Sequence, residues 1–206
     1  MSILSDNQII SAVNDNFIGI EPLAKNRIQP ASIDLTLYDK IEIVTADFVD
    51  FESLQDEESE SLYITQEIGQ DGYILAPGSY VIGYSVEMLS FTTGFNARIC
   101  NKNSLVRWGL DAATGNFINP GFKGRMPLII RNFGTSKLKL RAGMKICQLE
   151  IHQLDNASTR NYENRHDPEA LVSEIPDWEK RLQEENKNLD HTFSDFLHQR
   201  ILANSR

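Results

Sequence analysis

From Tyr73 onward the sequence closes short apolar runs, one after another, with turn residues: Pro77-Gly78, Thr93-Gly94, Pro120-Gly121, Gly134 and Ala142-Gly143. Runs of this length punctuated by glycine and proline read as strands joined by tight turns, and the rhythm suits a β-barrel or sandwich. Strand character begins earlier: Ala31-Ser32-Ile33-Asp34-Leu35-Thr36-Leu37 alternates apolar and polar residues with period two, and Lys40 to Val44 continues it. The opening differs. Ser5 or Asp6 can cap a short amphipathic helix in which Ile9, Ile10 and Val13 recur at helical spacing, before Asn14, Asp15 and Asn16 stop it.

Beyond Leu154 the composition shifts, with residues 156–168 polar and irregular. Pro176 to Ile201 then reads as helix, since Trp178, Leu182, Leu189, Phe193, Phe196, Leu197 and Ile201 fall at three- to four-residue spacing behind a proline suited to a helix start. The expected division is a barrel domain over 1–154, followed by a polar linker and helical extension over 155–206 that packs on its own domain or on a neighbouring subunit. The chain has 206 residues, 41% of them hydrophobic, enough to bury a substantial core. No apolar run approaches the ~18 residues of a membrane span, and the start lacks a basic flank and long apolar stretch. The expectation is a soluble, cytoplasmic protein that does not engage a membrane.

Charge is unevenly spread. The net charge of −9 disfavours nucleic acid as a partner. Seven acids and no base lie in the acidic loop 47–60, either an exposed excursion or a surface for a basic protein partner. Ten of the 20 bases lie between Arg98 and Lys145 against the single acid Asp111, which marks either a local anion-binding surface or a solvated basic face. Cys100 and Cys147 are too far apart for a Cys-x-x-Cys pair and read as buried thiols. His152, His166, His191 and His198 lack ligand spacing, so no zinc is expected.

The chain has no Gly-x-x-x-x-Gly-Lys-Ser/Thr loop, no Gly-x-Gly-x-x-Gly and no His-Glu-x-x-His. The paired motifs of zinc deaminases are missing too. What remains is a cluster of turn residues, small hydroxyl and amide side chains and bases, from Asn101 to Arg107 and from Thr114 to Arg125.

Those residues, with three further blocks, resemble the dCTP deaminase and trimeric dUTPase superfamily along most of 3–154. Ile3-Leu4-Ser5-Asp6 and Gln29-Pro30-Ala31-Ser32-Ile33-Asp34-Leu35 look like the deaminase branch. Lys102-Asn103-Ser104-Leu105-Val106-Arg107-Trp108-Gly109-Leu110 is similar to Arg-Ser-Ser-Leu-Ala-Arg-x-Gly-Leu, and Phe117 to Gly124 to Phe-Ile-Asp-Pro-Gly-Phe-x-Gly. Leu140 to Leu149 resembles Leu-x-Pro-Gly-Met-x-Ile-x-Gln-Leu. The resemblance implies a distorted β-barrel of the β-clip type, assembled as a homotrimer with nucleotide sites at subunit boundaries. It implies a pyrimidine deoxynucleoside triphosphate as ligand, with Mg²⁺ held by phosphate oxygens and water rather than directly by protein. The nucleotide-binding residues it points to are Lys102, Asn103, Ser104, Arg107, Asn119 and Gln148. Charge-assisted donors of this kind suit a triphosphate.

The same resemblance exposes departures. Deaminating members use a glutamate in a segment like Leu-Glu-Leu-x-Asn as the base that activates water; over Leu128 to Asn132 that position is read as Ile130. The dUTPase reaction depends on the aspartate of Ile-Asp, where this chain has Asn119. Neither side chain can take a proton at neutral pH. Lys102 exchanges the planar fork of an arginine for a point charge, and Asn103 replaces the first serine. The glycine- and glutamine-rich segment that closes over phosphates has at best a remnant in Tyr162-Glu163-Asn164-Arg165.

Two readings follow. In one, the chain binds nucleotide with catalysis impaired or lost, as a sensor, regulator or assembly component. In the other, it is an active dCTP deaminase or dUTP diphosphatase using a replacement carboxylate: Asp34, whose usual family role concerns substrate and metal water, or Asp111 or Glu150. Arg107 is a ligand or a structural ion pair, Gln148 a ligand or a strand-edge cap, and Trp108 packs in the core or at a subunit interface.

Overall fold

The computed structural model describes residues 2–49, 62–115, 117–160 and 162. The helix expected at the start is α1 (Asp6–Asn14), opened by Ser5, whose backbone N–H donates to Gln8 Oε1 at 2.9 Å. That bond satisfies a donor the helix itself cannot, and Ile9, Ile10 and Ala12 turn inward from it. The strands are β1 (Ser2–Ile3), β2 (Ile18–Glu21), β3 (Ile28–Gln29), β4 (Ser32–Val44), β5 (Tyr63–Glu67), β6 (Tyr73–Leu75) and β7 (Tyr80–Phe91). After β8 (Phe95–Asn101) comes the single turn α2 (Asn103–Val106), then β9 (Leu110–Thr114), β10 (Phe117–Ile118), β11 (Lys123–Asn132), β12 (Leu138–Leu140) and β13 (Lys145–Gln153).

Among the described residues the fold is mainly β, as expected. Eleven strands form one antiparallel sheet that curls into a half-barrel: seven run in the order β10-β8-β13-β4-β7-β11-β9, β1 pairs with β13, β2 with β7, and β3 and β5 with β4, while β6 and β12 make a separate ribbon. The two apolar runs expected around Ser32 and Lys40 are one continuous strand. Its first half pairs with β13 and its second with β7, and the register shifts between Leu37 and Ile41, where an irregularity bends the strand from one half of the sheet to the other.

Strand parity sets what each face carries. Ile33 lies opposite Leu149, which lies opposite Ile99, and all three are buried. Each such side chain contributes about 1.5–3 kcal/mol by leaving water. One residue along, the row reads Asp34, Gln148, Cys100 on the other face. The acidic loop 47–60 is described only as far as residue 49, and the tail 176–201 lies outside the described residues.

Turns fall where glycine marked them: Gly78, Gly121 and Gly143 have φ of +77°, +85° and +80°. Gly109 has a second constraint. Its φ is +91°, and a Cβ there would lie 2.5 Å from the Cα of Gly134, because the Phe133 N–H donates to the Gly109 carbonyl at 2.8 Å and draws the two segments together. Trp108, next to it, is 75% exposed, so it is not core packing within this chain. Gly109→Ala is expected to cost about 2–4 kcal/mol of unfolding free energy from backbone strain plus the clash. Gly78→Ala, which meets nothing within 4 Å, should cost only about 1–2 kcal/mol. Denaturant titration of the two variants checks the difference.

Candidate functional site

Charged side chains from separate elements meet at Asp34. Asp34 is buried, and three donors converge on its carboxylate: Lys102 Nζ at 2.6 Å on Oδ1, Lys145 Nζ at 2.9 Å on Oδ2, and Gln29 Nε2 at 3.2 Å on Oδ2. Each arrives from a different element. Lys102 follows β8, Lys145 opens β13, and Gln29 stands on β3, which folds back on the start of β4. Burial alone would raise the Asp34 carboxyl, but hydrogen bonds and charge from Lys102 and Lys145 outweigh it and hold it below the ordinary 3.8. Lys145 also donates to the Asn26 carbonyl at 3.1 Å, which ties the Lys25–Arg27 turn to the cluster.

Thr36, two residues along β4, continues this polar row inward. Its N–H and hydroxyl donate to the two carboxylate oxygens of Glu87 at 2.9 and 2.7 Å. Burial pushes the Glu87 carboxyl above its ordinary value, against the opposing pull of those hydrogen bonds and of the Arg27 charge. A buried acid satisfied by a neighbour's N–H and O–H fixes β7 to β4.

Gln148 sits directly across from Asp34 and donates through Nε2 to Ser32 Oγ at 3.2 Å. Asn103, Ser104 and Arg107 lie exposed on and just after α2, the turn that Lys102 begins, and Arg107 forms no ion pair among the described residues. Asn119 is half-buried in the turn between β10 and β11, where its carbonyl accepts the Phe122 N–H. Tyr162 reaches that turn: its N–H donates to the Pro120 carbonyl, and its ring lies 6.2 Å from that of Phe122.

The ten central bases do not share one surface. Arg125 is buried, its guanidinium 4.3 Å from the Tyr38 ring centroid and donating to the carbonyls of Ser85 and Val86. Arg131 lies 3.6 Å from Asp111. Lys102 and Lys145 alone, among the described residues, converge on Asp34.

A family model described as dCTP deaminase-like matches residues 3–154. The chain belongs to the dCTP deaminase-like family. It is 34% identical over 165 residues to a dUMP-forming dCTP deaminase of Tropheryma whipplei, covering 78% of this chain and 82% of the relative. It is 31% identical over 161 residues to another of Leifsonia xyli, covering 78% and 80%. A solved dCTP deaminase from Agrobacterium tumefaciens shares the fold at a TM-score of 0.58 with 24% identity, over 72% of this chain and 47% of that one.

Within the dCTP deaminase-like family pattern, one assignment moves by a residue. Laid residue for residue on Leu128 to Asn132, the segment Leu-Glu-Leu-x-Asn puts its glutamate at Ile129, not Ile130. Ile130 points into the core, where its Cδ1 lies 2.7 Å from the place a Cβ on Gly83 would take. Ile129 points the other way, half-buried, opposite Thr114 on β9. Adjacent strand residues face opposite sides, so the one-residue difference decides whether the position belongs to the site or to the core.

The replacement carboxylates are engaged. Asp34 accepts three hydrogen bonds. Asp111 accepts from Asn101, the Ala113 N–H and the Thr114 hydroxyl at 2.7 to 3.0 Å. Burial would raise its carboxyl, but these bonds and the Arg131 charge hold it down. Glu150 lies 2.7 Å from His152 Nε2. The Asp34 and Asp111 carboxylates, each held ionised by several donors, are poor proton acceptors. Sequence reasoning had missed Glu87 and the pairing of Lys145 with Asp34. The available signals were an acid inside the apolar run Tyr80–Phe91 and a lysine between Met144 and Ile146.

Ile130→Glu is expected to unfold the chain or cost several kcal/mol, as an unpaired buried charge does, whereas Ile129→Glu should stay within about 1 kcal/mol of wild type; paired denaturation curves separate them. The lowered Asp34 carboxyl contributes stability that is present above 3.8 and is lost as pH falls through the folded value. The stability gap between wild type and Asp34→Asn should therefore shrink as pH drops below 3.8, a result read from urea unfolding across pH.

Proposed function

We propose that this chain is a binding member of its family: it takes a pyrimidine deoxynucleoside triphosphate at a site shared between copies in a cytoplasmic homotrimer, with deamination and hydrolysis impaired or lost. The barrel of 1–154 carries the site, and 155–206 serves as an extension toward a neighbouring subunit or a partner. One observation carries the reading. The outward position on β11 that the family pattern gives to glutamate holds Ile129, Asp34 and Asp111 are each committed to several donors, and Glu150 is paired with His152. Asn119 retains shape and hydrogen-bonding capacity at its turn without basicity. Lys102, Ser104, Arg107 and Gln148 supply donors for phosphates and base. No helix among the described residues is long and apolar enough to cross a membrane.

The relatives are named as dCTP deaminases, so turnover is the outcome that opposes this reading. The test incubates the full chain with Mg²⁺ and each of dCTP, dUTP, dTTP and dATP, follows products by chromatography and binding by calorimetry, and reads assembly by light scattering. Binding of dCTP or dUTP without product above a heat-killed control is expected. Formation of dUTP or dUMP overturns the loss of catalysis, and absence of all binding overturns the nucleotide assignment. Because a positioned base supplies ~10²–10⁴-fold in rate, Asn119→Asp with Ile129→Glu should gain measurable product over the parent chain.

A further inference from the structure

The resemblance implies Mg²⁺ carried on the nucleotide phosphates, with the aspartate of the first block concerned in the metal's water. The donor set at Asp34 does not fit that role. Both carboxylate oxygens are taken by ammonium groups, Lys102 on Oδ1 and Lys145 on Oδ2, and Gln29 adds a third donor to Oδ2. A carboxylate that already balances two cations has little capacity to order the water of a third, and a divalent ion brought close would be repelled by both lysines.

The same arrangement leaves positive charge facing outward. Two ammoniums against one carboxylate make a net charge of +1. Asp34 lies behind at 2% side-chain exposure, while Lys102 and Lys145 are 19% and 36% exposed. An ammonium has three donors. Among the described residues Lys102 spends one on Asp34, and Lys145 spends two, on Asp34 and the Asn26 carbonyl. The remaining donors belong to groups that the buried carboxylate fixes in place, so little side-chain freedom is lost when they meet an anion.

We propose that Lys102 and Lys145, braced by Asp34, form a phosphate cradle that neutralises a triphosphate without a divalent metal. Lys145 is thereby a ligand for phosphate oxygens, and Asp34 is a positioning residue. The inference rests on the nucleotide reading above and narrows it to a metal-independent one.

Calorimetry of the full chain with dCTP, dUTP and inorganic triphosphate, each in Mg²⁺ and in excess EDTA, tests it. Affinity in EDTA equal to or tighter than in Mg²⁺ is expected. An affinity at least about tenfold weaker in EDTA overturns the proposal, since about 1.4 kcal/mol would then come from the metal. If inorganic triphosphate binds in EDTA while neither nucleotide binds in either buffer, the cradle stands and the nucleotide reading fails. If none of the three binds, both fail.

Variants add a second readout. Lys145→Met should weaken metal-free triphosphate binding about tenfold, the scale of a lost charge-assisted hydrogen bond, and Lys145→Arg should retain it. Asp34→Asn removes the anchor that holds both ammoniums in place and should weaken metal-free triphosphate binding although neither lysine is changed, with folding checked by circular dichroism. An affinity that is unchanged or tighter in a folded Asp34→Asn variant removes the assignment of Asp34 as a brace.

Discussion

The curled sheet depends on β4, whose two halves are paired with different neighbours. Its first half pairs with β13 and its second with β7, so the strand carries the sheet around the bend at Leu37 to Ile41. Along its start, alternate residues have opposite duties. Ile33, Leu35 and Leu37 enter the core, while Asp34 and Thr36 gather the polar partners that bind surrounding elements to it. Removing the polar half would loosen the attachments of β3, β7, β13 and α2 to this strand, although the apolar half would remain intact.

The buried acids of this polar row differ in how they are balanced. Asp34 faces two ammoniums and is held ionised; Glu87 faces an N–H and a hydroxyl, and burial pushes its carboxyl upward. Their contributions to stability run in opposite directions with pH: that of Asp34 is lost as pH falls, and that of Glu87 as pH rises through its folded value. The two effects sit on neighbouring strands, Asp34 on β4 and Glu87 on β7, and Glu87 is bonded to Thr36, two residues beyond Asp34.

Much of this was legible in the sequence, for physical reasons that differ by element. Turn glycines at 78, 121 and 143 announce themselves because few other residues accept their φ. The helix at Asp6–Asn14 and the alternation of Ser32–Val44 follow from local periodicity. The positions of the site residues are legible only to the residue, because on β11 an offset of one exchanges the outward Ile129 for the core Ile130. What stayed hidden was long-range. Nothing local shows that Lys145 would meet an aspartate more than a hundred residues earlier, that Arg125 would be drawn inside against Tyr38, or that Trp108 would remain on the surface. Charge counted along the chain gave one basic stretch, whereas the fold disperses it.

The neighbouring isoleucines of β11 have a consequence for how such a chain can change over generations. Ile130 is fixed by the packing around Gly83, but Ile129 stands outside the core cluster. On the reading proposed above, exchange of glutamate and isoleucine at position 129 would alter proton-transfer chemistry without touching the core cluster, so no unstable ancestor need lie between a chain that turns nucleotide over and one that binds it. The same independence makes the passage reversible in principle. On that reading a lineage could change the chemistry of this barrel at outward-facing and turn positions such as Ile129 and Asn119, while selection for a folded core registers little of it.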